Sequence, residues 1–300
     1  MALVPEAPAR VRERRLEVKL FRHGPRAAER PGVAFADGRL LDVGAFGEDY
    51  GEAFFGSNGV ARLERWLETH APRAPRVAPD ARFGPCIARP CKIVGVGRNY
   101  RAHAAEVGGE VPAEPILFMK APSAMCGPND DLCLPPGSTH TDWEVELAVV
   151  IGRSARYVSA ARALEHVAGY ALFNDYSERS FQRDRGGQWT KGKSADTFAP
   201  IGPYLVTEGV DHRAVELFLR VNGVERQRAS TSAMLADVPA LVAYVSEFMT
   251  LLPGDVIATG TPEGVGSGQR PPVFLAPGDV VEFGASGLGE ARQRVVGWTA

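Results

Sequence analysis

Two glutamates lie two residues apart in the segment DWEVELAVVIG, residues 142–152. In a strand, Glu144 and Glu146 share one face about 7 Å apart, because alternate side chains point the same way. Two charges at that distance repel by roughly 2 kcal/mol at an effective dielectric constant near 20. Ala148 and Val150 continue this face, so burial adds a desolvation cost. One glutamate could protonate, both could reach water, or a cation could bridge them.

A third carboxylate favours the cation. Asp175 follows the apolar run YALFN, which reads as another strand. Hard divalent cations prefer carboxylate oxygens, and magnesium takes a few of these together with waters and substrate oxygens. No histidine or cysteine adjoins these residues in the sequence to favour zinc. Asp142 and Glu178 flank the three carboxylates and could support them or be exposed.

His103 and Glu106 are three residues apart in the segment GRNYRAHAAE. On one helical turn they would face the same side. A carboxylate beside an imidazole fixes its tautomer and raises its basicity, as in a general base that activates water. The alternative is an exposed pair on a solvated helix.

Two loops carry further candidates. In RGGQWTKGKSADTFAPIGP, residues 185–203, Lys193 could hold a carboxylate or stabilise an oxyanion, unless the loop simply exposes its lysines to solvent. In ATGTPEGVG, backbone N–H groups and hydroxyls could bind an anion. The substrate-binding candidates are Arg98, Tyr100, Lys120, Arg179, Gln182, Gln188, Gly260 and Thr261.

The elements that position these residues indicate a β-rich α+β fold, with short strands separated by Gly/Pro turns. Residues 1–16 are expected to be a solvated extension, 17–75 a small N-terminal α/β domain, 76–90 a proline-rich linker and 91–300 the catalytic domain. Asn222-Gly223 predicts a type I′ hairpin turn. SAARALEHVAG predicts a helix. DVPALVAYVSEFMTLLPGD predicts the longest helix, capped by Asp237 and stopped at Pro253-Gly254.

Composition excludes several classes of partner. The 300-residue chain has a net charge of -2, which gives no sign of nucleic-acid binding or of an acidic membrane surface. No apolar run reaches the 18 or more residues of a membrane span. Four cysteines without zinc or disulfide spacing indicate a reducing cytoplasm.

The four segments, in this order, resemble the fumarylacetoacetate hydrolase family over roughly residues 90 to 297. The matching stretches include GRNYRAHAAE, HTDWEVELAVVIG, NDYSERSFQRDRGGQWTKGKS and PGDVIATGTPEGVG. The resemblance implies the family's mixed β-roll or barrel and a homodimer. It implies Mg²⁺ or Mn²⁺ on Glu144, Glu146 and Asp175. It also implies a lid that carries His103 and Glu106, with Lys193 near the metal.

The resemblance also frames the expected chemistry. Its nearest likeness is to diketo-deoxy-sugar-acid hydrolases, and similar sequences are labelled ureidoglycolate lyase or hydroxyheptadienedioate isomerase. We expect a metal-dependent hydrolase that cleaves a 2,4-dioxo acid to pyruvate and a carboxylic acid. Decarboxylation of an oxaloacetate-type acid and tautomerisation of a hydroxymuconate-type diacid are the alternatives on the same site. A non-catalytic protein that binds an oxo acid is the alternative from another class.

Overall fold

The computed structural model describes residues 18–108 and 110–299, so the expected extension at residues 1–16 lies outside the described residues. The strands within these ranges are β1 Val18–His23, β2 Arg30–Phe35, β3 Leu40–Asp42, β4 Ile93–Gly97, β5 Ile116–Lys120, β6 Met125–Cys126, β7 Leu132–Leu134, β8 Thr141–Asp142, β9 Val145–Ile151, β10 Val167–Asn174, β11 Ser177–Glu178, β12 Ala199–Pro200, β13 Leu205–Val206, β14 Glu216–Val221, β15 Val224–Ser230, β16 Val256–Ala258, β17 Val280–Ala285 and β18 Gly289–Gly297.

A nine-stranded mixed sheet forms the centre of the fold, in the order β3-β2-β1-β13-β10-β9-β16-β4-β5. Strand β9 lies between β10 and β16 and is antiparallel to both. Every residue of β9 is buried, as expected for an apolar strand covered on both faces. The expected burial of the glutamate face is therefore confirmed.

A five-stranded sheet, in the order β15-β14-β17-β18-β7, packs beside the first, and two pairs, β11-β8 and β12-β6, complete the β-structure. The predicted hairpin at Asn222-Gly223 is confirmed, because it joins β14 to β15 and both residues have positive φ, 51° and 77°. The expected β-rich α+β class is also confirmed.

Short helices join the strands. The α-helices are α1 Glu52–Gly56, α2 Gly59–His70, α3 Arg101–Glu106, α4 Arg179–Arg183, α5 Thr190–Lys193 and α6 Val238–Phe248. Shorter 3-10 segments occur at Gly44–Phe46, Ala71–Arg73, Pro122–Ala124, Ala160–His166, Thr231–Ala233 and Gly266–Gly268. In the described part of the chain, no helix combines the length and the apolar character that a membrane span requires.

Two helix predictions need correction. The SAARALEHVAG segment forms a seven-residue 3-10 helix, because Ser159 makes no side-chain cap and the chain enters β10 directly. The helix capped by Asp237 has 11 residues and is not the longest, since α2 has 12. It ends at Phe248, before Pro253-Gly254, because Leu251 exchanges backbone hydrogen bonds with Ala155.

The N-terminal strands continue the sheet that carries the candidate site. Strand β1 pairs with β2 on one side and with β13 on the other, where Leu20 lies opposite Leu205. Residues 76–90 are also packed: Cys86 and Ile87 are fully buried, and Arg82 forms a bidentate ion pair with Asp130 at 2.7 Å. The division at residues 17–75, 76–90 and 91–300 stays a prediction about independent folding.

We predict that replacing Leu20 by alanine lowers the free energy of unfolding by about 2–5 kcal/mol, because this fully buried leucine belongs to the main core. Urea unfolding, followed by circular dichroism and tryptophan fluorescence, should show a single transition that contains the entire loss of unfolding free energy. The control Leu164→Ala removes a side chain that is 46% exposed and should change stability by under about 0.5 kcal/mol. An early separate transition in Leu20→Ala would show that residues 17–75 unfold on their own.

Candidate active site

The three predicted carboxylates meet where β9 begins and β10 ends. Glu146 lies in β9 opposite Phe173 of β10, Glu144 directly precedes β9, and Asp175 directly follows β10. The Asp175 backbone N–H donates to the Glu144 carbonyl at 2.8 Å, which holds the two ends together. One carboxylate oxygen from each residue lies within 4.8 Å of the others, and all three residues are buried.

The backbone between the two glutamates is fixed from both sides. Val145 N–H donates to Gln227 Oε1 at 3.0 Å, and the Val145 carbonyl accepts from Thr261 Oγ1 at 2.9 Å. Gln227 Nε2 in turn donates to Thr261 Oγ1 at 2.8 Å. Gln227 lies in β15 of the second sheet, and nothing in its local sequence indicates this long-range contact.

Three buried cations adjoin the carboxylates. Lys193 Nζ donates to Glu144 Oε2 at 2.7 Å and to Asp175 Oδ2 at 2.5 Å. Arg179 Nη2 lies 2.7 Å from Glu144 Oε1. Lys120 Nζ lies 2.6 Å from Asp175 Oδ1 and donates to the Tyr176 carbonyl.

The pKa values of the two glutamates are shifted in opposite directions. Burial opposes ionisation of Glu144, but the charges of Lys193 and Arg179 outweigh it and hold the pKa of Glu144 well below its usual range. Burial raises the pKa of Glu146 well above its usual value, and the charges of Asp175 and Glu144 raise it further. The Glu146 carboxylate accepts a hydrogen bond from Gly260 N–H at 2.9 Å.

A hard divalent cation fits this donor set. The three residues offer oxygen ligands of the kind that Mg²⁺ and Mn²⁺ prefer, and the cluster contains no histidine or cysteine among the described residues. Asp175 Oδ1 is buried and forms an ion pair with Lys120 Nζ at 2.6 Å. A bound cation would offset the repulsion among the three carboxylates, which adds to burial in raising the pKa of Glu146.

His103 of helix α3 lines the cavity beside the carboxylates, and Glu106 of the same helix contacts its imidazole. His103 Nδ1 lies 3.4 Å from Glu106 Oε2, and His103 is 7% exposed. Gly264 N–H donates to both Glu106 oxygens, at 2.9 and 3.1 Å. The predicted pair is thus formed, and its carboxylate is held from outside the helix.

A cavity of about 290 Å³ collects most of the predicted side chains. A larger cavity of about 620 Å³ lies between α2 and the start of β10, and none of the predicted residues lines it. The smaller cavity is therefore the candidate active site. The predicted residues that line the smaller cavity are Arg98, His103, Glu144, Glu146, Arg179, Gln182, Lys193 and Thr261. The lining residues that sequence reasoning missed are Val96, Gly97, Val107, Phe118, Arg183 and Trp189.

Four predicted substrate-binding residues lie elsewhere. Lys120 is 1% exposed and does not line the cavity. It forms an ion pair with Asp175, one of the three carboxylates of the cluster. Tyr100 is also buried away from the lining, and Gly260 gives its N–H to Glu146. Gln188 is exposed, and its neighbour Trp189 lines the cavity instead.

The chain matches known proteins over nearly its whole length. The profile described as fumarylacetoacetate (FAA) hydrolase C-terminal matches residues 92–296. A Burkholderia multivorans protein, named only as a candidate hydrolase, is 50% identical over 279 residues, covering 92% of this chain and 98% of its own.

Three solved structures are similar to this chain, and each alignment covers 94% of this chain and 100% of the other chain. Fumarylacetoacetate hydrolase from Exiguobacterium antarcticum has a TM-score of 0.81 and 37% identity. The 5-carboxymethyl-2-hydroxymuconate delta-isomerase from Mycobacterium smegmatis has a TM-score of 0.73 and 35% identity. Maleylpyruvate hydrolase from Sphingobium sp. SYK-6, in complex with manganese(II) ion and pyruvate, has a TM-score of 0.78 and 29% identity.

These matches define the chain as an enzyme whose relatives are hydrolases and isomerases. It belongs to the fumarylacetoacetate hydrolase family.

We predict opposite effects of two isosteric changes in the presence of EDTA. Glu144→Gln should lower the free energy of unfolding by roughly 3 kcal/mol, because it removes a buried anion from Lys193 and Arg179. Glu146→Gln should leave stability unchanged or raise it, because Glu146 adds repulsion to the other carboxylates. Urea unfolding of the two variants and the wild type checks the contrast. Equal destabilisation by both changes would contradict this charge arrangement.

Proposed function

We propose that this enzyme is a divalent-metal-dependent hydrolase that cleaves the C3–C4 bond of a 2,4-dioxo acid. The products are pyruvate and a carboxylic acid, and a 2,4-diketo-3-deoxy sugar acid is one member of this substrate class. The observation that carries the proposal is that His103, Glu144, Glu146 and Lys193 line one cavity, with Asp175 completing the carboxylate cluster and Glu106 beside His103. The similarity to a maleylpyruvate hydrolase with manganese and pyruvate supports it.

Glu144, Glu146 and Asp175 would hold the metal, Mg²⁺ or Mn²⁺. When bound, the ion stabilises the negative charge that develops on the 2-oxo oxygen as the C3–C4 bond breaks. Lys193 adds a fixed positive charge at the same edge of the cavity. Arg179 and Gln182 line this edge and would bind the substrate carboxylate.

Hydrolysis also needs an activated water. His103 removes a proton from water as the water oxygen attacks the C4 carbonyl carbon, and Glu106 holds the imidazole in place. The C3–C4 bond then breaks, C4 leaves as the carboxylic acid, and C3 takes a proton to give the methyl group of pyruvate. Because only this route consumes water, the His103–Glu106 pair favours hydrolysis over tautomerisation.

The alternatives use the same binding edge. Decarboxylation of an oxaloacetate-type acid and isomerisation of a hydroxyheptadienedioate-type diacid need the carboxylates and Lys193 but no positioned water. The isomerase neighbour supports the second of these. A non-catalytic oxo-acid-binding protein would need neither His103 nor Glu106. The homodimer and the cytoplasmic location stay predictions.

We predict that His103→Ala lowers pyruvate release from 2,4-dioxo acids by about 100-fold or more, because the variant lacks the general base. The assay is a panel of acylpyruvates, diketo-deoxy sugar acids and oxaloacetate, with pyruvate as the common readout. His70→Ala, an exposed histidine on α2, is the matched control and should retain full activity. Unchanged hydrolysis in His103→Ala would refute the base assignment, and release from oxaloacetate alone would favour the decarboxylase.

We predict that Mg²⁺ and oxalate together stabilise the EDTA-treated protein, because oxalate mimics the bidentate carboxylate and 2-oxo end of the substrate. At 100 times the dissociation constant, stabilisation is about 2.7 kcal/mol. Thermal melts with Mg²⁺, oxalate or both measure it. No shift with the pair would contradict the metal-dependent proposal, whichever reaction the site performs.

A further inference from the structure

Asp142 is a fully buried carboxylate that belongs neither to the metal-binding cluster nor to the cavity lining. Its Oδ1 accepts hydrogen bonds from Gly266 N–H at 2.6 Å and from Trp143 N–H at 2.9 Å. Its Oδ2 accepts from Ser267 N–H at 3.0 Å and from Arg179 Nε at 2.8 Å. Asp142 therefore joins two parts of the chain that are far apart in sequence.

The first part is the glycine loop, residues 264–268 (GVGSG). Gly264, at the start of this loop, donates its N–H to both Glu106 oxygens. The Gly264 carbonyl accepts from Trp143 Nε1 at 3.0 Å. One short loop thus contacts both carboxylates, because Gly264 donates to Glu106 and the N–H groups of Gly266 and Ser267 donate to Asp142.

The glycine loop has little freedom to accommodate side chains. A Cβ on Gly264 would lie 1.8 Å from the Arg226 carbonyl oxygen, and one on Gly266 would lie 2.0 Å from the Val273 carbonyl oxygen. A Cβ on Gly268 would lie 2.3 Å from Glu106 Cγ. Because the loop is so closely packed, we expect a shift of Gly266 and Ser267 at Asp142 to move Gly264 and Gly268, which contact Glu106.

The second part is Arg179, on the metal side of the cavity. Its Nη2 lies 2.7 Å from Asp142 Oδ2 and 2.7 Å from Glu144 Oε1, while its Nη1 donates to Gln182 Oε1 at 3.2 Å. Both guanidinium contacts reach one oxygen, Asp142 Oδ2, so Asp142 holds the guanidinium beside Glu144. Asp142 therefore sets where Arg179 meets Glu144 and Gln182.

We propose that Asp142 is a positioning residue that couples the His103–Glu106 pair to the Arg179–Glu144 edge of the site. The coupling runs from Asp142 through the glycine loop to Glu106, and directly to Arg179. Its catalytic consequence rests on the proposed hydrolase function, but the physical coupling does not. Within the described ranges, Asp142 makes no hydrogen bond to helix α3, and the glycine loop is the hydrogen-bonded connection between Asp142 and Glu106.

The structural test is hydrogen exchange by mass spectrometry on Asp142→Asn in the absence of substrate. An amide keeps one oxygen acceptor but turns its NH₂ group toward existing donors, so in either orientation one of the two loop N–H groups, Gly266 or Ser267, loses its acceptor. We expect exchange to rise several-fold in residues 264–268 and also in residues 101–108 of the helix α3 region.

Glu178→Gln is the matched control. Glu178 is also fully buried, and its carboxylate accepts hydrogen bonds from Ser138, Thr141 and Ser180. It lies on β11, which pairs with the strand that carries Asp142, and it caps helix α4 through Ser180 N–H, but it makes no hydrogen bond to the glycine loop in the described part of the chain. Exchange in residues 101–108 should stay at the wild-type rate. Unchanged exchange there in Asp142→Asn, or an equal rise in Glu178→Gln, would overturn the proposal.

The kinetic test is a double-mutant cycle between Asp142→Asn and Glu106→Gln. Each change alone should reduce kcat for pyruvate release by about 10-fold or more, as supporting residues around metal sites do. Because both act through one loop, the double variant should lose far less than the product of the single losses. Glu178→Gln combined with Glu106→Gln should show the full product.

Multiplying losses in the Asp142→Asn, Glu106→Gln cycle would overturn the coupling. If the wild-type enzyme releases no pyruvate from any dioxo acid, the proposed function fails, and hydrogen exchange still decides whether Asp142 couples the two sides.

Discussion

The burial of three carboxylates at the end of one antiparallel strand pair is the constraint on which the rest of the site depends. Three negative charges in the interior are stable only when cations or hydrogen-bond donors compensate them. Lys193 and Arg179 compensate Glu144, and Lys120 lies against Asp175. Burial raises the pKa of Glu146 well above its usual value, and the neighbouring charges of Asp175 and Glu144 raise it further. A divalent cation is the partner that would complete this balance.

The same constraint explains why residues far apart in the sequence form hydrogen bonds around these carboxylates. The carboxylates need rigid backbone, so Gln227 from the second sheet and Thr261 from the loop after β16 fix Val145 between the two glutamates. His103, the proposed base, lines the same cavity, and the glycine loop donates the hydrogen bonds that hold Glu106. Asp142 joins this loop to Arg179 beside Glu144.

Local pattern was sufficient to predict the chemistry-bearing groups. The alternation in DWEVELAVVIG placed Glu144 and Glu146 on one buried face, and the end of an apolar strand placed Asp175 beside them. The i, i+3 spacing placed His103 near Glu106. These predictions depend on the period of a single strand or helix, and the structure retains that period.

Predictions that depended on contacts between distant segments were less successful. Lys120 was expected in the cavity, but the register of β5 against β4 turns it to the far side of Asp175. The helix after Asp237 ends early because Leu251 pairs with Ala155, far away in sequence. The roles of Gln227 and Asp142 also come from residues brought together only by folding, which no local spacing encodes.

The central claim is that the buried carboxylates hold a divalent cation that takes part in binding an oxo acid. Electron paramagnetic resonance of a Mn²⁺ titration tests it most directly, with pyruvate added at saturation. The wild type should bind a single Mn²⁺ per chain with a spectrum that changes on adding pyruvate, and Glu146→Gln should lose that site. Equal Mn²⁺ binding by Glu146→Gln, or a wild-type spectrum that pyruvate leaves unchanged, would contradict the account.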